Sequence, residues 1–204
     1  MRSDGTRLDF QIILQWVQPG SAVLDLGCGD GDLLELLVRE KGVKAQGIEI
    51  NEQAIYRCVA KGLSVFHDDL DRGLSEYGDK TFDYVILNQT LQQVRKLDEA
   101  LQEALRVGRE VIVGFPNFAH WSARVQLFFR GKTPITPALP YEWHDTPNLH
   151  FLSLLDFTHY CQKRHIQIRR AAFLGEKRMI RFRPNLLAQA GIFLISHDQR
   201  PKGE

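Results

Sequence analysis

Residues 23–37 read VLDLGCGDGDLLELL: an apolar run, a turn with glycines at 27, 29 and 31, and a leucine-rich run. No other stretch constrains the fold as strongly. An apolar strand that passes through a glycine-rich turn into an amphipathic helix is the opening unit of an open α/β sheet, and such turns hold nucleotides. The rest of the chain must then supply alternating strands and helices. Which nucleotide is held has to be read from the other residues of the turn.

The alternation is present. Leu8–Val17 reads as an amphipathic helix stopped by Pro19-Gly20, and Ala22–Leu26 as the strand before the turn. Leu33, Leu34, Leu36, Leu37 and Val38 then stripe a helix, with Asp32 and Glu35 spaced like a capping box and Lys41-Gly42 at its end. Lys44–Ile50 is a second strand, followed by a helix that Asn51 caps and Gly62 closes. Leu63–Phe66 and Phe82–Leu87 are the third and fourth strands. Leu97, Leu101 and Leu105 stripe the next helix, and Glu110–Phe115 is a fifth strand. Strands separated by helices of this length imply right-handed crossovers and a parallel sheet covered on both faces.

Beyond residue 130 the pattern changes. Pro134, Pro137, Pro140 and Pro147 mark a proline-spaced loop, and Ser153-x-x-Asp156 is a second capping-box spacing, opening a helix to about His165. Ile166–Phe173 and Gly191–Ser196 are candidate last strands, joined by a link that holds a short helix after Pro184. The expected architecture is a doubly wound, mostly parallel seven-stranded α/β sheet, Rossmann-like, with helices on both faces and an antiparallel last strand.

With 204 residues and 44% hydrophobic content, one domain over 1–204 is expected, residues 20–115 forming its cofactor-binding half and 116–204 a substrate- or partner-facing half. Lys and Arg number 26 against 25 Asp and Glu, a balance that argues against a protein built to grip a phosphate backbone. Cys28, Cys58 and Cys161 are scattered without C-x-x-C spacing, so neither a disulfide framework nor a metal site is expected. No apolar run approaches the roughly 20 residues of a membrane helix, and Ile12-Ile13-Leu14 is too short for a signal-peptide core. A cytoplasmic protein without a membrane or nucleic-acid partner is the expectation.

The turn follows G-x-G-x-G, and position 32, where a dinucleotide fingerprint places its third glycine, is aspartate. Asp25, Asp30 and Asp32 crowd the place where a pyrophosphate would meet the helix N-terminus, and each would repel it. S-adenosylmethionine has no phosphate and carries a sulfonium and an ammonium, which carboxylates attract. Glu49 ends the second strand about 20 residues beyond the turn, where an acid accepts from ribose hydroxyls. Asp68 and Asp69 follow the third strand, placed to accept from an adenine amino group, while Asn88 and Gln89 end the fourth strand beside the topological switch point. A nicotinamide dehydrogenase is disfavoured on the same grounds.

Over residues 20–115 this pattern resembles the class I S-adenosylmethionine-dependent methyltransferases. The resemblance implies that Asp25, Gly27 and Gly29 serve the methionine part of the cofactor, Glu49 the ribose, and Asp68 or Asp69 the adenine. The residues expected at the site of S-adenosylmethionine or S-adenosylhomocysteine are Asp25, Gly27, Cys28, Gly29, Asp30, Gly31, Glu49, Ile50, Asp68, Asp69, Asn88 and Gln89. Cys28 reads most simply as a small residue fitting a crowded turn.

Catalysis is not legible to the same degree. After the fourth strand stands NQTLQQV, with amides and a threonine but no ionisable group, and without the N-P-P-Y type stretch of nucleic-acid amino-methylases. His120, His144, Asp145 and His150 are the acid–base side chains in reach, each with a plain structural alternative, and no catalytic residue is assigned. The basic stretch Lys177, Arg178, Arg181 and Arg183 suits a solvated face or a docking surface for an acidic partner. WVQPGSAVLDLGCGDGDLL, FPNFAHW, LPYEWHDTPNLHF and RPNLLAQAGIF carry a narrower resemblance, to the methionine-biosynthesis protein MetW family, across nearly the whole chain. That resemblance implies a role in methionine biosynthesis beside a homoserine O-acyltransferase whose activity the chain supports. An active S-adenosylmethionine-dependent methyltransferase on a small molecule is the alternative, since fold analogy alone is not evidence of chemistry.

Overall fold

A computed structural model describes residues 7–197. The elements in chain order are α1 (Leu8–Trp16), β1 (Ala22–Leu26), α2 (Asp32–Lys41), β2 (Lys44–Glu49), α3 (Glu52–Ala60), β3 (Val65–His67), β4 (Phe82–Asn88), α4 (Leu97–Val107), β5 (Gly108–Pro116), α5 (Trp121–Arg130), α6 (Leu154–Lys163), β6 (Ile166–Leu174), α7 (Pro184–Leu187) and β7 (Ala190–His197). Short 3₁₀ turns at Leu70–Arg72 and Leu91–Gln93 follow β3 and β4.

The strands form one sheet in the order β3-β2-β1-β4-β5-β7-β6. β1 pairs in parallel with both β2 and β4, placing Asp25 opposite Gly47 on one side and Ile86 on the other. The order reverses between β1 and β4, so the topological switch point lies where the glycine turn leaves β1. β7 runs antiparallel between β5 and β6, as the expected antiparallel last strand requires.

Alternation along the central strands divides the core. Tyr84 and Ile86 of β4, with Ile112 of β5, pack against Ile13, Trp16, Leu33 and Leu37 of α1 and α2. Val85 and Leu87, with Val111, Val113 and Phe115, face Leu101 and Leu105 of α4 and Phe157 of α6 on the opposite side. Both faces of the sheet are therefore covered, which is the doubly wound arrangement.

Two local expectations are met by side-chain geometry. Asn51 accepts the Ala54 amide at 3.1 Å, and Ser153 and Asp156 form a complete capping box. A third is overturned. Asp32 and Glu35 make no capping box, because Gly31, in the left-handed region at φ 76°, is itself the N-cap and Asp32 is already the first helical residue. Both acids instead pair with Lys61 at the end of α3. α5 answers to no sequence expectation. Its one buried residue is Ala123, and the larger apolar side chains of the helix point away from the core. No helix among the described residues is long and apolar enough to cross a membrane.

Candidate functional site

The site is built on the turn after β1. The Gly27 and Cys28 amides both donate to the Ile48 carbonyl, at 2.8 and 3.2 Å, which stitches the turn to the end of β2. Gly27 has φ 73° and Gly29 φ 54°, conformations that glycine adopts without strain. A Cβ on Gly27 would lie 2.6 Å from the Thr90 methyl, so the turn sits directly against the segment after β4. A Cβ on Gly29 would meet nothing within 4 Å.

Glu49 is fixed by the backbone around it. One carboxylate oxygen accepts the Gly29 amide at 2.8 Å, and the other accepts the Ile50 and Asn51 amides at 2.9 Å each. Asp25 is the reverse case: it is 3% exposed, and no hydrogen-bond donor among the described residues reaches its carboxyl. Burial first, and the neighbouring Glu49 charge second, push it up to about 7.

At the far edge Asp68 accepts the Asp69 amide at 2.8 Å, Asp69 accepts the Asp71 amide at 3.0 Å, and Asp71 accepts the Lys96 amide at 2.9 Å. The chain of acids thus closes on the segment after β4. On the opposite edge the Asn88 amide donates to Asp9 of α1 at 2.9 Å, and Arg7 forks onto the same carboxylate at 2.5 and 3.1 Å. The Asn88 carbonyl oxygen is buried without a partner among the described residues. Gln89 takes φ 66°, a left-handed kink that the Gln92 and Gln93 side chains hold by donating to its carbonyl.

Together these groups enclose a cavity of about 690 Å³, within the roughly 300–1,000 Å³ of small-molecule sites. Asp25, Gly27, Cys28, Gly29, Asp30, Glu49, Ile50, Asp68, Asp69, Asn88 and Gln89 line it. Gly31 does not; a Cβ there would strike Leu63 and Cys58 beneath the turn. Cys28 packs in the same manner, its sulfur 2.6 Å from where a Cβ on Gly47 would stand, and burial raises its thiol pKa. Arg7 and Phe10 also line the cavity and were not legible as site residues, because they reach it only through the tertiary placement of α1. Thr90, Gln93, Val94 and Arg95 complete the wall after β4.

The structure redistributes the charge inferred from the turn. Asp30 is 2.8 Å from Arg57, and Asp32 is held by Lys61, so α3 neutralises both from outside. Repulsion of a pyrophosphate at the turn therefore rests on Asp25 and Glu49. An unpaired buried carboxyl and open space beyond Gly29 fit a ligand that brings a cationic group to this turn, whereas the orphaned Asn88 oxygen packs against Gly114.

The four acid–base candidates of the C-terminal half lie elsewhere. His120 caps α5, its ring 2.7 Å from the Ser122 hydroxyl, and burial lowers its pKa. The His150 ring bonds the Val94 carbonyl at 2.9 Å. His144 is exposed beside Glu142, and the Asp145 amide makes a turn contact to the Glu142 carbonyl at 3.4 Å. None of the four lines the cavity.

Residues 7–195 match the family model described as methionine biosynthesis protein MetW. The chain is 34% identical over 206 residues to the bifunctional methionine biosynthesis protein MetXA/MetW of Rhodopirellula baltica, a match covering 95% of this chain and 33% of that protein. It is 28% identical over 149 residues to the ubiquinone/menaquinone biosynthesis C-methyltransferase UbiE of Legionella pneumophila, covering 66% of this chain and 53% of that one. The chain thus spans about a third of the first relative's length and about half of the second's. Among solved structures, an S-adenosylmethionine-dependent methyltransferase from Archaeoglobus fulgidus superposes with a TM-score of 0.69 at 16% identity, over 92% of this chain and 90% of that one. The fold is that of the class I methyltransferases.

Proposed function

The chain belongs to the methionine biosynthesis protein MetW family, and on that premise we propose that it binds S-adenosylmethionine at the cavity after β1 and supports a homoserine O-acyltransferase. One observation carries the cofactor reading. Asp25 is a buried acid without a donor, held beside a second carboxylate at the floor of a cavity that offers glycine backbone on one side and amides on the other. A cation delivered there gains from both charges and relieves the cost of burying Asp25. The sulfonium and ammonium of S-adenosylmethionine supply such cations, and a dinucleotide supplies the opposite charge.

The roles follow from the hydrogen bonds already present. Glu49 uses three of a carboxylate's roughly four acceptor positions on backbone amides, which leaves one for a ribose hydroxyl. Asp68 and Asp69 are oriented by the amides of Asp69 and Asp71 and keep acceptor capacity towards the cavity for an adenine amino group.

The acyltransferase reading is supported by the Rhodopirellula baltica relative, whose name joins MetXA to MetW in one polypeptide. The cavity lining favours this role over methyl transfer. Among the described residues it contains neither histidine, lysine nor tyrosine, so deprotonating an oxygen or nitrogen acceptor would fall to a carboxylate. Calorimetry with S-adenosylmethionine, S-adenosylhomocysteine and NAD tests the first half: binding of NAD alone defeats it. Acyl-transfer rates of a homoserine O-acyltransferase, with and without this chain, test the second half. No complex and no change in rate defeats it.

A further inference from the structure

α5 is built inside out. Trp121, Val125, Phe128 and Phe129 fall at i, i+4, i+7 and i+8, the spacing by which a helix normally buries one stripe in a core. Here that stripe faces solvent: Phe128 is 82% exposed, Phe129 76%, Trp121 50% and Val125 44%. What holds the helix is its other side. Ala123 is buried, and the Gln126 side chain bonds the Ile135 backbone in both directions, at 2.9 and 3.2 Å.

The segment that carries the stripe holds charge of one sign up to Glu142. Residues 117–141 contain Arg124, Arg130 and Lys132 and no acid. Arg130 and Lys132 have no partner among the described residues. Taking about 200 Å² for a whole aromatic side chain, the exposed parts of the stripe and of Leu127 and Ile135 beside it come to roughly 600 Å². That is the top of the range for a monomer's largest apolar patch and about three-quarters of one partner's share of a standard interface.

A second copy is a poor occupant, because a self-complementary contact would set this cationic rim against itself. We propose that the α5 face seats the homoserine O-acyltransferase, which meets it with an apolar patch rimmed by carboxylates. The partner's identity rests on the proposed acyltransferase role, whereas the surface rests on the cationic rim and the exposed apolar area of α5. The Phe128 and Phe129 side chains are the anchors that enter the partner, and Arg124, Arg130 and Lys132 steer the encounter.

The test uses the full chain and a purified homoserine O-acyltransferase, with binding followed by calorimetry and by surface kinetics at two salt concentrations. Phe128→Ser/Phe129→Ser weakens binding at least about 30-fold, as loss of two anchors does, with circular dichroism and S-adenosylmethionine affinity unchanged. Arg130→Glu/Lys132→Glu slows association and removes most of its salt dependence. If the wild-type chain does not bind, the partner reading fails and takes this proposal with it. If the wild type binds and both variants bind equally well, the surface assignment alone fails. A wild-type dimer that Phe128→Ser/Phe129→Ser splits, with acyltransferase binding intact, assigns the face to a second copy and also overturns the proposal.

Discussion

Replacing Asp25 by asparagine should make the protein more stable and abolish the proposed binding of S-adenosylmethionine. The carboxyl is 3% exposed, and burial with the Glu49 charge pushes it to about 7, against about 3.9 for a free aspartate. A folded-state value raised above the unfolded one means that the folded protein holds the proton longer. Its contribution is therefore fully present below about pH 3.9 and is lost as pH rises through about 7. The displacement corresponds to about 4 kcal/mol, falling at about 1.4 kcal/mol per pH unit inside that window. Asparagine removes the ionisation but buries an amide that costs about 1–2 kcal/mol where it lacks a partner. About 2–3 kcal/mol of net stabilisation remains at pH 8, or about 4–12 °C in Tm for a chain of this size. His120 and His197, whose pKa values burial lowers, titrate in the opposite sense, so the measured quantity is the difference between wild type and variant. Thermal melts from pH 5.5 to 8.5 should show that difference growing with pH, while calorimetry at pH 8 shows S-adenosylmethionine binding lost in the variant. Parallel pH profiles for the two proteins, or a variant that binds S-adenosylmethionine like the wild type, would refute the placement of Asp25 as a buried acid awaiting a cation.

Other consequences are local. Gly29→Ala carries only the left-handed backbone cost of about 1–2 kcal/mol, whereas Gly27→Ala adds a 2.6 Å contact with Thr90 worth about 1–3 kcal/mol more. Chemical denaturation should rank the two in that order, and Thr90→Ala should restore part of the Gly27→Ala loss and none of the Gly29→Ala loss. Glu49→Gln turns one acceptor oxygen towards the Gly29, Ile50 and Asn51 amides into a donor. It should lower stability by about 1–3 kcal/mol and weaken S-adenosylmethionine binding at least tenfold by calorimetry. Ser153→Ala opens the capping box of α6 and should cost about 1 kcal/mol by denaturant titration, without changing cofactor affinity.

How much the sequence reveals depends on how local each signal is. β4 and β5 alternate sides within a few residues, and the Asn51 cap and the Ser153–Asp156 box are closed by groups three residues apart. These are legible because cause and effect share one segment. Arg7 and Phe10 reach the cavity from the start of a helix whose own pattern says only that it packs, and the Asn88–Asp9 bond that ties this helix to β4 spans 79 residues. The misread capping box has a comparable origin. The spacing of Asp32 and Glu35 fits the motif, but the left-handed Gly31 moves the helix start by one residue and Lys61, 29 residues away, takes Asp32. α5 escaped for the opposite reason: its apolar stripe is regular, yet Gly, Pro and cationic residues surround it and nothing among the described residues covers it.

The cavity and the C-terminal half share one wall. The Gln92 carbonyl accepts the Leu149 and His150 amides at 2.8 and 3.1 Å, and the His150 ring takes the Val94 carbonyl at 2.9 Å. The neighbouring residues Gln93, Val94 and Arg95 line the cavity itself. The same loop returns to the start of α5 through the Phe118 amide, which donates to the Leu152 carbonyl at 3.1 Å, and through the Phe118–Phe151 ring contact. A ligand that presses on the segment after β4 therefore acts on a backbone already bonded to the loop that contacts Phe118, just before α5. Physical continuity of this kind permits coupling but does not create it, because a ligand shifts a protein between states only by its difference in affinity for them. Asp25 supplies a source for such a difference. Its charge state depends on whether a cation sits beside it, and it lies one strand away from the wall that carries the loop. On the proposed function, support of an acyltransferase would then need no methyl transfer, only a ligand that binds one arrangement of that wall better than another.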